Sequence, residues 1–105
     1  MDFKIEEING IGDYTRGNLI SKGGKKEGEV FAAPNEKVFL VLRKKTIEVR
    51  TDNNLSKLLR ERYESVMVSR YFGNGGVEIV GSGQIPLEEI YDMVRLSYNL
   101  TQKIE

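Results

Sequence analysis

A chain with neither histidine nor cysteine must draw any chemistry from carboxylates, lysines, hydroxyls or a phosphate-gripping backbone. Without histidine it lacks the commonest general base and zinc ligand. Without cysteine it has no disulfide, no thiolate ligand and no thiol nucleophile. Two carboxylate pairs have suggestive spacing: Glu6 with Glu7, and Glu88 with Asp92 one helical turn apart. Such a pair can hold a hard cation such as magnesium. The same spacing also describes a solvated helix face whose acids favour the positive end of the dipole, and that is our reading here. The serines and tyrosines form no Ser-Lys or Ser-His arrangement. We therefore expect no catalytic residues, no metal ligands and no cofactor.

The glycines of "RYFGNGGVEIVGSGQIP" (70–86) raise a second possibility, a backbone cradle for phosphate. GSG follows an apolar run and precedes a helix, as such a cradle requires. The third glycine of the dinucleotide fingerprint would fall on Pro86, however, and the helix opens with Glu88 and Glu89, which repel phosphate. No later strand completes a parallel unit. Glycine and asparagine between antiparallel strands are the ordinary residues of a turn. The expectation is that these glycines reverse the chain.

Charge is the remaining signal. The formal net charge is zero, but residues 16–70 hold thirteen Lys/Arg against seven Asp/Glu, while both ends are acidic. A basic middle can face a polyanion, although no stretch forms a dedicated basic tail.

These side chains need elements to position them, and 105 residues suffice for one domain with one core. A short helix is expected near residues 3–8, and "SKGGKKEGE" (21–29) reads as a mobile polar loop. Strands are expected at "VFAA" (30–33), "VFLVLR" (38–43) and "TIEVRT" (46–51), the last placing Ile47 and Val49 opposite Glu48 and Arg50. "TDNNLSKLLRERY" (51–63) reads as a helix capped by Asp52 or a neighbouring Asn. Strands follow at 65–72 and 77–80, and then a strongly amphipathic helix at 86–104. On that helix Glu88, Asp92, Arg95, Asn99 and Gln102 form a polar stripe opposite a broad apolar face that includes Leu96 and Ile104. Ser97 and Thr101 lie among the apolar residues and are expected to bond back to the preceding turn.

The predicted fold class is α+β: a two-layer sandwich with a five-stranded antiparallel sheet and helices on one face. Its order is (α)-β-β-β-α-β-β-α. If Ile47, Val49, Val66, Val68, Val77 and Ile79 face the helices, the other face carries Phe39, Val41, Arg43, Arg50, Met67, Tyr71 and Val80. Three readings of that face stay open: cover by the N-terminal segment, a protein contact, or nucleic acid.

From Asp52 onward the chain resembles the MmcQ/YjbR family of small α+β proteins, in "DNNLSKLLRERYESVMVSRYF", "VEIVGSGQIPLEEIYDMV" and "SYNL". Ser97 and Tyr98 match the Ser-Tyr pair of that family's closing helix. The stretch "RLSY" is also similar to a luciferase-like domain family. The MmcQ/YjbR resemblance implies the secretion-chaperone-like fold, α-β(3)-α-β(2)-α, and DNA binding of a double-wing type. The link between the family's fourth and fifth strands usually carries His, Lys and Trp, whereas here it is Phe72-Gly73-Asn74-Gly75-Gly76.

The functional expectation is a non-enzymatic binding domain for DNA or RNA. Arg43, Lys44, Lys45, Arg50, Arg60, Arg62 and Arg70 would meet phosphates, and Tyr71 and Phe72 would stack on bases. The alternative is a homodimer or another protein partner bound through Phe39, Val41, Met67 and Val80. No apolar run approaches the roughly 18–20 residues of a membrane span, and the acidic start "MDFKIEE" lacks a signal peptide's order. A cytoplasmic location is expected.

Overall fold

The structure is a computed structural model that describes residues 3–81 and 83–103. Ile104, expected on the apolar helix face, and Ser82 of the GSG stretch lie outside the described residues. A single 3-10 turn (Ile5–Ile8) leads into β1 (Thr15–Ile20), β2 (Lys26–Ala32), β3 (Val38–Arg43) and β4 (Thr46–Arg50). Helix α1 (Asn53–Arg62), β5 (Val66–Ser69), β6 (Gly73–Val80) and α2 (Leu87–Thr101) complete the chain. All strand pairs are antiparallel, in the order β1-β2-β3-β4-β6-β5. Helix α2 packs across β3 and β4, and α1 across β5 and β6, so both helices share one face.

The sheet thus has six strands rather than five. The extra one is β1, "TRGNLI", in which every residue but Leu19 is exposed. It has no core face to generate alternation, so the sequence carries no strand signal there. What orders it is backbone pairing with β2 and an Arg16–Glu29 ion pair at 2.6 Å. The preceding Tyr14 anchors its start, with its ring 5.7 Å from that of Phe31. Residues 21–29, read as a loop, divide accordingly. Residues 21–25 turn the hairpin, and 26–29 are the first half of β2.

A bulge in β3 decides where Phe39 goes. Phe31 pairs with Leu40 and Ala32 with Val38, leaving Phe39 without a partner across the ladder. The extra residue turns Phe39 onto the helix face. There it is fully buried, edge-on to Tyr98 of α2 at 5.0 Å and to Phe31 at 6.5 Å. Strict alternation had assigned Phe39 to the other face, and the bulge overturns that assignment.

Helix α2 buries Ile90, Val94, Ser97, Tyr98 and Thr101, a stripe narrower than expected, and Leu96 stays outside it at 43% exposure. Thr101 bonds back to the carbonyl of Tyr98 as expected. Ser97 does not. Its hydroxyl donates to the Phe39 carbonyl at 2.6 Å and accepts from the Arg50 amide at 2.8 Å. Leu40–Val49 is the neighbouring rung of the β3–β4 ladder, so Ser97 supplies the next rung from the helix.

The glycines divide: Gly73, with φ +65°, closes the β5–β6 reversal and Gly81 lies in the turn after β6, as expected, whereas Gly75 and Gly76 lie inside a strand. The reversal between β5 and β6 falls at residues 70–72, and Gly73–Val80 is strand throughout. Gly76 is required by crowding: a Cβ there would lie 2.6 Å from both the Phe72 Cβ and the Val49 carbonyl oxygen. Phe72 can fold back over β6 only because this position has no side chain.

Two substitutions test these arrangements. Ser97→Ala strands a buried amide and carbonyl, and should lower unfolding free energy by about 1–3 kcal/mol in urea titrations. A loss below a few tenths of a kcal/mol would show that the rung is dispensable. Gly76→Ala should cost about 1–3 kcal/mol through overpacking, whereas an unchanged denaturation midpoint would contradict the crowding.

Candidate anion-binding cleft on the outer face

Among the described residues no helix packs on the second face of the sheet, yet its centre is buried. Val41 and Glu48 are fully buried and Glu78 is 2% exposed. Glu48 on β4 and Glu78 on β6 are directly paired in register, so their carboxylates are close neighbours on one face. Buried carboxylates remain ionised only with charge partners and hydrogen bonds. Glu48 accepts from Arg43 Nε, from Ser69 Oγ at 2.7 Å and from the Tyr71 amide at 2.9 Å. Glu78 accepts from Thr46 Oγ1 at 2.9 Å and from Arg70 through Nε at 3.0 Å and Nη2. Ser69 Oγ in turn accepts from the Phe72 amide at 2.8 Å. The short turn between β5 and β6 is thereby tied to Glu48.

Burial opposes ionisation of Glu78, but the hydrogen bonds from Arg70 and Thr46 outweigh it and hold the carboxyl below its ordinary value. The hydrogen bond to Glu78 is the main cause that raises Arg70 in return.

Above this layer lies an open cleft of about 400 Å³. Its cations are Lys25, Lys26, Arg43, Lys44, Lys45 and Arg70, accompanied by Glu27 and Thr46. Topology explains the gathering. Gly28 pairs with Arg43, so the β1–β2 turn and the Lys44–Lys45 turn project from the same end of the sheet. Arg70 comes from the far end and lies back along the face to reach Glu78. Against six cations stand Glu27 and the two buried glutamates, a surplus of three positive charges. Among the described residues, no carboxylate lies within ion-pair distance of Lys25, Lys44 or Lys45.

Of the residues singled out from the sequence, Arg43, Lys44, Lys45 and Arg70 meet in this cleft. Arg50 does not line it. Its Nε donates to the Val38 carbonyl, its guanidinium covers the Phe72 ring at 4.9 Å, and burial lowers its pKa. Phe72 is held between that guanidinium and Gly76, and Tyr71, 42% exposed, packs edge-on against it at 5.0 Å and is the more open ring of the pair. Arg60 and Arg62 belong to α1, one donating to Ser56 Oγ and the other lying over the Tyr63 ring. Neither reaches the cleft.

The four residues expected at a protein interface also separate. Phe39 and Val41 are fully buried, Val80 is half-buried, and Met67 alone is exposed. The expected carboxylate pairs stay apart from the site. Glu88 and Asp92 are exposed on α2, with Asp92 bonded to Arg95 at 2.9 Å. Among the described residues, no group of three or more His, Asp or Glu is placed to hold a metal ion. Sequence reasoning missed Glu48, Glu78, Ser69, Thr46, Lys25 and Lys26. The signal was a single glutamate at the centre of each of two apolar strands.

No family model matches the chain, and no curated protein matches its sequence. Two crystal structures share its fold. A Deinococcus radiodurans protein with a DUF419 domain, the designation of the MmcQ/YjbR-like family, is similar with a TM-score of 0.76 at 14% identity. That match covers 95% of this chain and 79% of the other. A Pseudomonas syringae protein is similar with a TM-score of 0.75 at 17% identity, covering 92% and 94%. No helix among the described residues is long and apolar enough to cross a membrane.

Because Glu78 is depressed in the folded state, its stabilisation is complete above the ordinary carboxylate value near 4.5. It is lost as pH falls through the lower folded value. Thermal unfolding of the wild type should therefore show a melting temperature that drops below about pH 4. Glu78→Gln should melt lower at neutral pH and show a flatter acid limb. An identical acid limb in both proteins would mean that Glu78 is not the titrating group.

Proposed function

We propose that the chain is a small non-enzymatic domain that binds nucleic acid across its outer sheet face. The observation that supports this reading is the convergence of six cations from three separate segments on one cleft, with a net positive surplus. Attraction to phosphates needs such a surplus and a surface that water and counterions can leave. The exposed ring of Tyr71, in the turn beside Arg70, offers one stacking platform for an unpaired base. The fold shared with a DUF419 protein supports membership of the MmcQ/YjbR-like family and its secretion-chaperone-like fold. A cytoplasmic location follows from the same reading.

A second reading, self-association or a protein partner, is favoured by a different surface from the one expected. Leu58 of α1 is 61% exposed beside a groove lined by Leu55, Leu59 and Arg62, and Met67 and Val68 of edge strand β5 are more than 40% exposed.

Fluorescence anisotropy with labelled single-stranded DNA, duplex DNA and RNA separates these readings. With about three phosphates neutralised, affinity for duplex DNA should fall about 40-fold between 50 and 200 mM salt, roughly three powers on a log–log plot. Replacing Lys44 and Lys45 together by alanine should remove about two of those powers. An absence of binding at low salt, or an unchanged slope in the double variant, would sink the nucleic-acid reading. For the second reading, light scattering should show a dimer that Leu58→Asp splits, and a monomer in both proteins counts against it.

A further inference from the structure

The two buried glutamates do more than neutralise their arginines, because, with Glu27, they also fix which nitrogen of each guanidinium is left over. Arg70 commits Nε and Nη2 to Glu78. Arg43 commits Nε to Glu48 and Nη1 to Glu27, the latter at 3.4 Å. Among the described residues, neither Nη1 of Arg70 nor Nη2 of Arg43 has a protein acceptor. Both arginines line the same cleft. They are held by carboxylates that face each other directly across β4 and β6. A guanidinium that is free to rotate must surrender side-chain freedom on binding, whereas one already clamped does not.

We infer that the floor of the cleft is a phosphoryl-binding subsite. Arg43 and Arg70 contact the phosphate, and Glu48 and Glu78 are positioning residues that leave Nη2 of Arg43 and Nη1 of Arg70 to meet it. The inference rests on reading this cleft as an anion site, but not on the anion being nucleic acid. Backbone phosphates and free phosphate compounds share the chemistry, and the probes below tell them apart. Glu27, at the rim, is partly exposed and holds Arg43 from the other side. The lysines supply long-range attraction, and the arginine pair supplies geometry.

This arrangement makes a prediction opposite to that of simple electrostatics. Glu78→Gln adds one unit of positive charge to the site, so a diffuse cationic patch would bind an anion more tightly. A positioned pair would bind more weakly.

The experiment titrates inorganic tripolyphosphate, and separately an eight-nucleotide DNA strand, into isotopically labelled protein. Binding is followed through the arginine Nε–H signals, and the melting temperature of each variant is measured beside it. In the wild type, tripolyphosphate should move the Arg43 and Arg70 signals. Glu78→Gln should weaken binding about tenfold despite its added charge. Arg70→Lys, which keeps the charge at a site whose side chain is 61% exposed and so preserves the fold, should weaken it by a similar factor. Unmoved arginine signals in the wild type would overturn the inference, as would equal or tighter binding by folded Glu78→Gln. Should Glu78→Gln fail to fold, unchanged affinity in Arg70→Lys would overturn it alone. Tripolyphosphate binding without DNA binding would leave the subsite standing and refute the nucleic-acid reading. DNA binding that leaves both arginine signals in place would do the reverse.

Discussion

Two negative charges removed from water on adjacent strands cannot coexist unless cations and hydrogen-bond donors are brought to them. That requirement organises the outer face of this protein. Glu48 and Glu78 draw in Arg43 and Arg70 from opposite ends of the sheet. They also capture Ser69, Thr46 and the Tyr71 amide. An apolar pair of similar volume would often be at least as stabilising. What the charged pair adds is a definite placement of guanidinium groups on the face away from both helices.

The aromatic end of the same face follows a related logic. Phe72 would be an exposed ring beside a glycine. Instead it lies against Gly76, and the Arg50 guanidinium covers its other side. A missing side chain in one strand is filled by a ring from the adjoining turn, as when aromatics compensate for glycine in sheets. The helix face is joined to the sheet by packing and by a polar contact: Ser97 reaches into the β3–β4 ladder beside the bulge that buries Phe39.

Much of the fold was legible because its elements bury one face each. Helix α2 carries periodicity that burial imposes, and α1 with its Asp52 cap and strands β3, β4, β5 and β6 were legible to within a few residues at their ends, although Leu58 and Val68 stay exposed. Strand β1 was illegible because it buries almost nothing, and Phe39 was misplaced because a bulge breaks the two-residue period. The candidate site was half legible. Lysines and arginines are visible as charge, but their convergence depends on hairpin geometry that brings residues 25–26 beside residues 43–45. Glu48 and Glu78 alternate correctly onto the outer face, yet alternation cannot say that the centre of such a face is buried. Arg60 and Arg62 were plausible by charge alone, and the structure places them on α1, away from the cleft.

The acidic pair also limits how the strands can be threaded. Side chains alternate between faces, so sliding β6 by one position against β4 would turn Glu78 into the apolar core on the helix face while expelling Val77 and Ile79. A slip of two positions would keep each residue on its own side but part Glu78 from Thr46 and misalign the arginine clamps. Few competing pairings survive both penalties. A small sheet rich in interchangeable valines and isoleucines thus acquires a unique alignment from two residues that are not hydrophobic at all.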